Sequence, residues 1–231
     1  MNEVLRQEKK FLITIPQMVL LRQQISQVMA QDSHNLGDGY PIRSLYFDTL
    51  DDRDYHEKED GVEVRRKLRL RCYGPDTPFA LLEMKQKQGA NQKKRSLRLE
   101  QEQARRLTKG DYTPLLAHRE PFAAECYAFM GMHCYVPRAV VEYRRWAFVA
   151  RENKIRITFD HHITATESCY DIFSSRLLQN SVLDPSLVVL EVKYNGFLPS
   201  YIKELLLPCN EFETSVGKYS LSRSVSMHYR F

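Results

Sequence analysis

The sequence predicts an α+β chain dominated by antiparallel strands, about eight of them, the number at which a sheet can close into a barrel with a usable interior. Three observations carry this. Many segments alternate apolar and polar residues with period two. They are joined mostly by short turns rather than by the crossovers that parallel strands need. Their polar faces are filled largely by Lys, Arg and Glu.

The segment "EKKFLITI" (8–15) puts Phe11, Ile13 and Ile15 on one face and Glu8, Lys10 and Thr14 on the other. A helix is expected over 16–31, then a strand "IRSLYFDT" (42–49); the acidic "DTLDDRD" (48–54) reads as a loop, with a supporting or structural role left open. Three strands follow, "EVRRKLRLRCY" (63–73), "FALLEMKQK" (79–87) and "KKRSLRLE" (93–100), linked by the turn signals "GPDTP" and "QGANQ". Helices are expected over 99–109 and 120–132. The second carries Phe122, Cys126, Phe129 and Met130 at helical spacing and reads as a packing helix. Strands "AVVEYRRWAFVA" (139–150) and "KIRITFDHHI" (154–163) flank "EN", which suits a tight hairpin. A last strand, "LVVLEVKYN" (187–195), precedes helices over 199–206 and 217–228.

With 231 residues, 43% of them apolar, the chain can bury a genuine core. No repeat, low-complexity tract or Pro/Gly-rich linker divides it, so one domain over 1–231 is expected. A net charge of +5 permits an anionic partner without requiring one. The longest apolar runs, such as "LVVL", are far too short to span a membrane, and "MNEVLRQEKK" lacks the apolar core of a signal peptide. Five cysteines, odd in number and without a CxxC pair, suit a reduced cytoplasmic protein lacking a structural zinc.

The charged faces are the most informative feature. Arg65, Lys67, Arg69 and Arg71 lie opposite Leu68, Leu70 and Cys72; Glu83, Lys85 and Lys87 lie opposite Leu82 and Met84. Arg156, Thr158 and Asp160 lie opposite Ile155, Ile157 and Phe159, and Glu191 and Lys193 opposite Leu190 and Val192. Two arrangements account for this. The charges form the solvated outside of a sandwich, or they line the inside of a barrel whose apolar faces pack outward on helices. A dry charged interior would cost several kcal/mol per ion. The second arrangement therefore needs a wet interior or a compensating ligand. Since cations outnumber acids on these faces, that ligand would be a polyanion. The carboxylates Glu8, Glu83 and Glu191 offer oxygen ligands for a divalent cation.

Other motifs favour packing or solvation over chemistry. His161 and His162 are neighbours on a strand, where side chains point opposite ways, which disfavours a His-centred metal site. Cys72 lies on an apolar face. Lys93, Lys94 and Arg95 read as a solvated hairpin, with Lys94 placed to guard the mouth of a barrel.

The motifs "RQEKKF", "SLYFDT", "RLRCYG", "LLEMKQK", "YRRWAF", "IRITFD", "LEVKY" and "GKYS", in this order from about residue 6 to about 224, resemble the VTC domain. That is the catalytic domain of polyphosphate polymerases, in the CYTH or triphosphate tunnel metalloenzyme superfamily. The wider superfamily opens with Glu-x-Glu-x-Lys. Here the register reads Arg6, Glu8, Lys10, which tilts the resemblance toward the VTC branch and away from two-metal hydrolases.

The resemblance implies a closed eight-stranded antiparallel β-barrel with a charged lumen and flanking helices, a tunnel for ATP, triphosphate or polyphosphate, and Mn²⁺ or Mg²⁺ as cofactor. It assigns phosphate contacts to Lys10, Lys58, Arg69, Arg71, Lys85, Arg145 and Arg156, the metal to Glu191, and the closing of the far end to Lys218. The faces themselves add Lys193 and Lys94 as substrate contacts, and Glu83 and Glu8 as further metal ligands. The expected catalytic set is Arg69, Arg71, Arg145, Arg156 and Lys218. Eukaryotic members also carry an SPX domain and membrane helices; for this chain no membrane insertion of its own is expected, and a separate membrane protein is the candidate partner. Three functions stay open: a polyphosphate polymerase using ATP, an inorganic or nucleoside triphosphatase, and a non-catalytic polyphosphate binder. The scarcity of aromatics among the basic residues disfavours nucleic acid.

Overall fold

The computed structural model describes residues 6–89 and 91–228, with side chains over 7–89 and 91–224. The side chain of Arg6 and residue Ala90, in the expected turn "QGANQ", lie outside this set. The elements in chain order are β1 (Arg6–Thr14), α1 (Ile15–Ile25), β2 (Ala30–Gln31), β3 (Tyr40–Asp48), α2 (Arg53–Glu59), β4 (Val64–Cys72), β5 (Phe79–Gln88) and β6 (Asn91–Glu100). There follow α3 (Gln101–Thr108), α4 (Pro121–Met132), β7 (Val136–Val149), β8 (Arg156–Thr166), β9 (Asn180–Ser181), β10 (Leu187–Asn195), α5 (Ser200–Leu206) and α6 (Lys218–His228). All eight expected strands form, each with bounds close to those read from its alternation.

In hydrogen-bonded order the strands run β1-β10-β8-β7-β3-β4-β5-β6, with the short β2 on β7 and β9 on β8. The expected closed barrel is not formed. The order has two ends, and no described pairing joins β1 to β6. Each end is protected in another way. Phe11 of β1 bridges to Glu213, and Thr214 donates its amide to the carbonyl of Lys10 at 2.9 Å. The outer edge of β6 carries exposed Lys93, Lys94 and Arg98, which discourage further strand pairing.

Contacts group the chain into two compact units. The first takes residues up to Pro41, Tyr143–Ile163 and Leu183–Gly217; the second takes Ile42–Glu142, Thr164–Val182 and the segment from Lys218 onward. Each has its own apolar core. In the first, Phe11 and Ile13 of β1, Ile157 and Phe159 of β8 and Leu190 and Val192 of β10 pack on Met18, Leu21 and Ile25 of α1 and Ile202 and Leu206 of α5. In the second, Leu68, Leu70 and Cys72 of β4, Leu82 and Met84 of β5 and Leu97 and Leu99 of β6 pack on Ala104 and Leu107 of α3 and Ala123, Cys126 and Met130 of α4. Helices α1, α3, α4 and α5 thus cover the apolar faces of these strands, and the charged faces lie on the side away from those four helices.

Three local expectations need correction. Helix α1 begins on a Thr14–Gln17 capping box with Pro16 in its first turn, but it stops at Ile25 rather than residue 31. The residues beyond are taken by strand pairing, Ala30 with Val149 and Gln31 with Phe148. The acidic segment is only partly a loop, because its end starts α2, which carries Lys58. Asp48 supplies the cap from outside the helix, accepting the amides of Asp54 at 2.8 Å and Tyr55 at 3.0 Å. Finally, His162 takes a left-handed backbone, φ 50°, which breaks the alternation of β8. The two imidazoles therefore meet, Nδ1 to Nδ1 at 2.7 Å, rather than pointing apart.

Candidate functional site

Each unit carries one charged cluster on the face opposite its apolar core, and the two differ in how their charges are paired. In the second unit, like charges are in register. Lys67 pairs with Lys85 across β4 and β5, and Lys85 with Lys94 across β5 and β6, so three ammonium side chains stand abreast. Directly opposed like charges destabilise a sheet. One row further on, Arg69 pairs with Glu83 and Glu83 with Ser96. Glu83 is the only carboxylate in 65–71, 81–87 and 92–98. Three cations converge on it: Arg69 at 2.8 Å, Lys94 at 2.5 Å, and Arg71, whose Nη2 donates to Oε1. Burial pushes the Glu83 carboxyl up, but Arg69, Arg71 and Lys94 outweigh it and hold the group down at about 2.

Two tyrosines not foreseen from the sequence complete this cluster. Tyr46 of β3 lies opposite Arg69 and accepts from its guanidinium at 3.4 Å. Its ring stacks on Tyr219 of α6, with centroids 5.0 Å apart. The Tyr219 hydroxyl donates to Asp48 at 2.7 Å, and Lys67 Nζ lies 5.7 Å from the Tyr219 ring. Four residues on, Arg223 binds Asp52 at 2.6 Å and Glu167 at 2.7 Å. The acidic loop therefore anchors α6, whose first residue is the expected Lys218. Lys58 stands on α2 with its ammonium 3.2 Å from Glu59. Nothing in the local sequence of "DTLDDRD" shows this role, because its partners are over a hundred residues away.

In the first unit, opposite charges are in register across β1 and β10. Glu8 pairs with Lys193 and Lys10 with Glu191 across β1 and β10; Lys193 in turn pairs with Arg156, and Glu191 with Thr158, across β10 and β8. Lys10 Nζ reaches Glu8 Oε1 at 3.1 Å and Glu191 Oε1 at 4.0 Å. Lys193 Nζ reaches Glu191 Oε2 at 2.5 Å and Glu8 Oε2 at 3.9 Å. Burial drives the Lys193 ammonium down to about 8 despite the two glutamates. Arg145 of β7 forms a fork-to-fork pair with the fully buried Asp160, at 2.6 and 2.7 Å, and lies 3.9 Å from Glu191. Arg156 is held by Asp32 at 2.7 Å and by the Tyr40 hydroxyl at 3.0 Å. Burial works against ionisation of Asp32, but His34 and Arg156 hold its carboxyl below the usual range.

The expected residues thus fall into two sets. Lys10, Arg145, Arg156, Glu8, Glu191 and Lys193 come together in the first unit, and Arg69, Arg71, Lys85, Lys94 and Glu83 in the second. What sequence reading missed is the set of carboxylates that hold the arginines, Asp32 and Asp160, together with Asp48 and Tyr219. Asp160 stood on the right face of its strand, and that was its only signal. Among the described residues no three His, Cys, Asp or Glu side chains form a metal cage. Yet Glu8 and Glu191, diagonal neighbours on adjacent strands, are a donor set suited to Mg²⁺ or Mn²⁺, which take one or two carboxylates and fill the rest with water and phosphate oxygens.

Helix-backed antiparallel strands presenting clustered arginines, lysines and two neighbouring carboxylates define an α+β domain with charged strand faces. The VTC domain model matches residues 5–227, and the chain belongs to the VTC domain family. Solved structures share the fold. A candidate adenylate cyclase from Bacillus halodurans superposes with a TM-score of 0.54 at 13% identity, covering 94% of this chain and 96% of that one. A candidate adenylate cyclase from Vibrio parahaemolyticus gives 0.52 at 10% identity, with 95% and 98% covered. No curated protein matches the chain in sequence. Among the described residues, no helix is long and apolar enough to cross a membrane.

Proposed function

We propose that this chain is a metal-dependent polyphosphate polymerase that transfers the γ-phosphate of ATP to the end of a growing polyphosphate. The observation that carries the reading is the like-charge register of Lys67, Lys85 and Lys94 beside the Arg69–Glu83–Arg71 group. A sheet that places three cations abreast and gathers two more, Arg69 and Arg71, with Lys94 around one carboxylate is arranged for a polyanion. Arginine suits phosphate through bidentate hydrogen bonds, and lysine through its compact charge.

In this reading each unit's arginines, Arg69 and Arg71 in the second and Arg145 and Arg156 in the first, bind phosphate groups, while Lys10, Lys58, Lys85, Lys94 and Lys218 are further phosphate contacts. Glu8 and Glu191 hold Mn²⁺ or Mg²⁺, whose contribution when bound is to neutralise phosphate charge. A terminal phosphate oxygen attacks the γ-phosphorus in line, forming one P–O bond as the bond to the bridging oxygen breaks. ADP leaves with the electron pair, and the cations that hold the γ-phosphate offset the charge that spreads over the transferring group. No general base is needed, because the nucleophile is already ionised. That agrees with carboxylates tied to cations: Glu83, held at about 2, would be a poor base for activating water.

Incubation with ATP and Mn²⁺, with products resolved by length on a gel, tests the reading. Long-chain polyphosphate supports it. Free phosphate alone moves the assignment to a triphosphatase. No turnover, together with a Glu191→Ala variant that behaves as the parent does, leaves a polyphosphate binder.

A further inference from the structure

The Glu8–Glu191 pair is already loaded with the chain's own cations. Both Oε1 atoms converge on the Lys10 ammonium and both Oε2 atoms on that of Lys193. The contact between Lys193 and Glu191 is the shortest of the four, at 2.5 Å. Lys193 is also boxed in: Arg156 stands opposite it on β8, and Arg145 lies 3.9 Å from the same Glu191 oxygen. A divalent ion bound to these oxygens would compete with the ammonium groups for their lone pairs, and would place two positive charges beside a half-buried third. We infer that Lys193 is an internal stand-in for the metal, a specificity residue that must leave the carboxylate pair before a divalent cation can use it.

This rests on the metal assignment proposed above and adds a consequence to it. A displaced ammonium in a buried site needs a new anionic partner. Phosphate oxygens supply one; bare metal does not. The site should therefore refuse free Mn²⁺ and accept it together with a triphosphate, so that metal and phosphate load as a unit. Lys10 shares the same carboxylates at longer distance and would make the smaller adjustment.

The test is Mn²⁺ binding to the full chain, followed by the electron paramagnetic resonance signal of the free ion, with and without tripolyphosphate. Lys193→Met keeps the length of the side chain and removes its charge. It should bind Mn²⁺ alone at least about tenfold more tightly than the parent, since a like charge at this range in a buried site is weakly screened. It should also lose much of the tightening that tripolyphosphate gives the parent, and Lys193→Arg should restore the parent's behaviour. Lys193→Gln, measured beside it with thermal melting of every variant, guards against a folding defect in either one. If both neutral variants bind Mn²⁺ no better than the parent while Glu191→Gln abolishes binding throughout, the stand-in role is wrong and the metal site stands. If Glu191→Gln leaves Mn²⁺ binding unchanged in the parent and the Lys193 variants, the metal assignment falls and takes the inference with it.

Discussion

Arg145 holds Asp160 by two parallel hydrogen bonds, of 2.6 and 2.7 Å, and the carboxylate has no exposed surface. Burial alone would discourage the Arg145 charge; Asp160, and then Tyr143 and Glu191, keep the guanidinium ionised, its pKa raised well above the usual value. The pair fixes a residue assigned to phosphate binding. Asp160→Asn leaves a buried cation with half its partner gone and should cost about 3–5 kcal/mol. Adding Arg145→Met to that variant should recover part of the loss, because the unpaired charge is then gone. Melting curves for the two single variants and the double variant check this. Strictly additive losses would show that the pair does not couple.

Glu83 plays the same part for Arg69, Arg71 and Lys94, but one carboxylate serves three cations. Glu83→Gln should therefore lower the melting temperature, and tripolyphosphate should raise it by more in the variant than in the parent. The ligand then supplies the negative charge the protein has lost. An equal or smaller shift in the variant would contradict the claim that bound polyphosphate replaces the charge of Glu83.

Alternation made the strands legible, and with them the side of each strand on which a charge would fall. Arg69, Arg71, Lys85, Glu191 and Lys193 all stand on the expected faces, because a strand's period of two leaves no other choice. What alternation does not carry is pairing between strands. That Glu8 stands opposite Lys193 while Lys67 stands opposite Lys85 depends on register, which is set by turns and by core packing elsewhere. Closure failed for the same reason: eight strands permit a barrel, but Glu213 and Thr214 meet the free edge of β1, and no pattern in β1 announces them. The carboxylates holding Arg145 and Arg156 come from β8 and from the turn after β2. His162 escaped notice because a left-handed residue inside a strand leaves no trace in composition.

The acidic loop gives the chain a pH dependence of unusual sign. Asp54 is almost wholly buried and accepts from Tyr135 at 2.6 Å, while its other oxygen has no hydrogen-bond partner. Burial pushes its carboxyl up to about 7; the Tyr135 bond and Arg53 oppose this, and Asp48 and Glu57 add to it. A folded-state value above the ordinary carboxylate range means that the folded chain holds the proton more tightly. The stabilisation is complete below about pH 4 and is lost as pH rises to about 7, a change of a few kcal/mol. Glu83 acts in the other direction: its folded value lies below the ordinary one, so its contribution is present above about pH 4.5 and disappears as pH falls toward 2. Denaturant midpoints measured from pH 4 to pH 8 should fall in the parent and fall less in Asp54→Asn, which keeps an acceptor for Tyr135. Parallel curves would remove Asp54 as the cause.

Tyr219→Phe tests whether the loop positions α6. The substitution keeps the stack on Tyr46 but leaves Asp48 without the hydroxyl that bonds it at 2.7 Å, in a buried site. A loss of about 1.5–3 kcal/mol follows from removing a hydrogen bond to a charged group, while the Thr49, Asp54 and Tyr55 amides still bond the carboxylate. Hydrogen exchange should show the loss first at the Asp54 and Tyr55 amides, which bond the same carboxylate. Faster exchange spread evenly over the second unit would mean that the loop has no particular hold on the helix.

Gly39 offers a steric test beside Arg145. Its backbone, at φ 112°, lies where a Cβ would come within 2.4 Å of the Arg145 carbonyl oxygen and 2.8 Å of the carbonyl carbon, both main-chain atoms inside β7 that cannot swing aside. Its own carbonyl accepts from Arg144 at 2.7 Å. Gly61, at φ 71°, has a left-handed backbone too, but a Cβ there would meet nothing within 4 Å. Alanine at Gly61 therefore carries backbone strain alone, about 1–2 kcal/mol. Alanine at Gly39 carries strain and overlap, and relief requires moving the strand that holds Arg145. Gly39→Ala should accordingly melt well below Gly61→Ala and weaken tripolyphosphate binding, whereas Gly61→Ala should leave binding as it was. Equal melting temperatures for the two variants would show that the close approach at Gly39 imposes no constraint on β7.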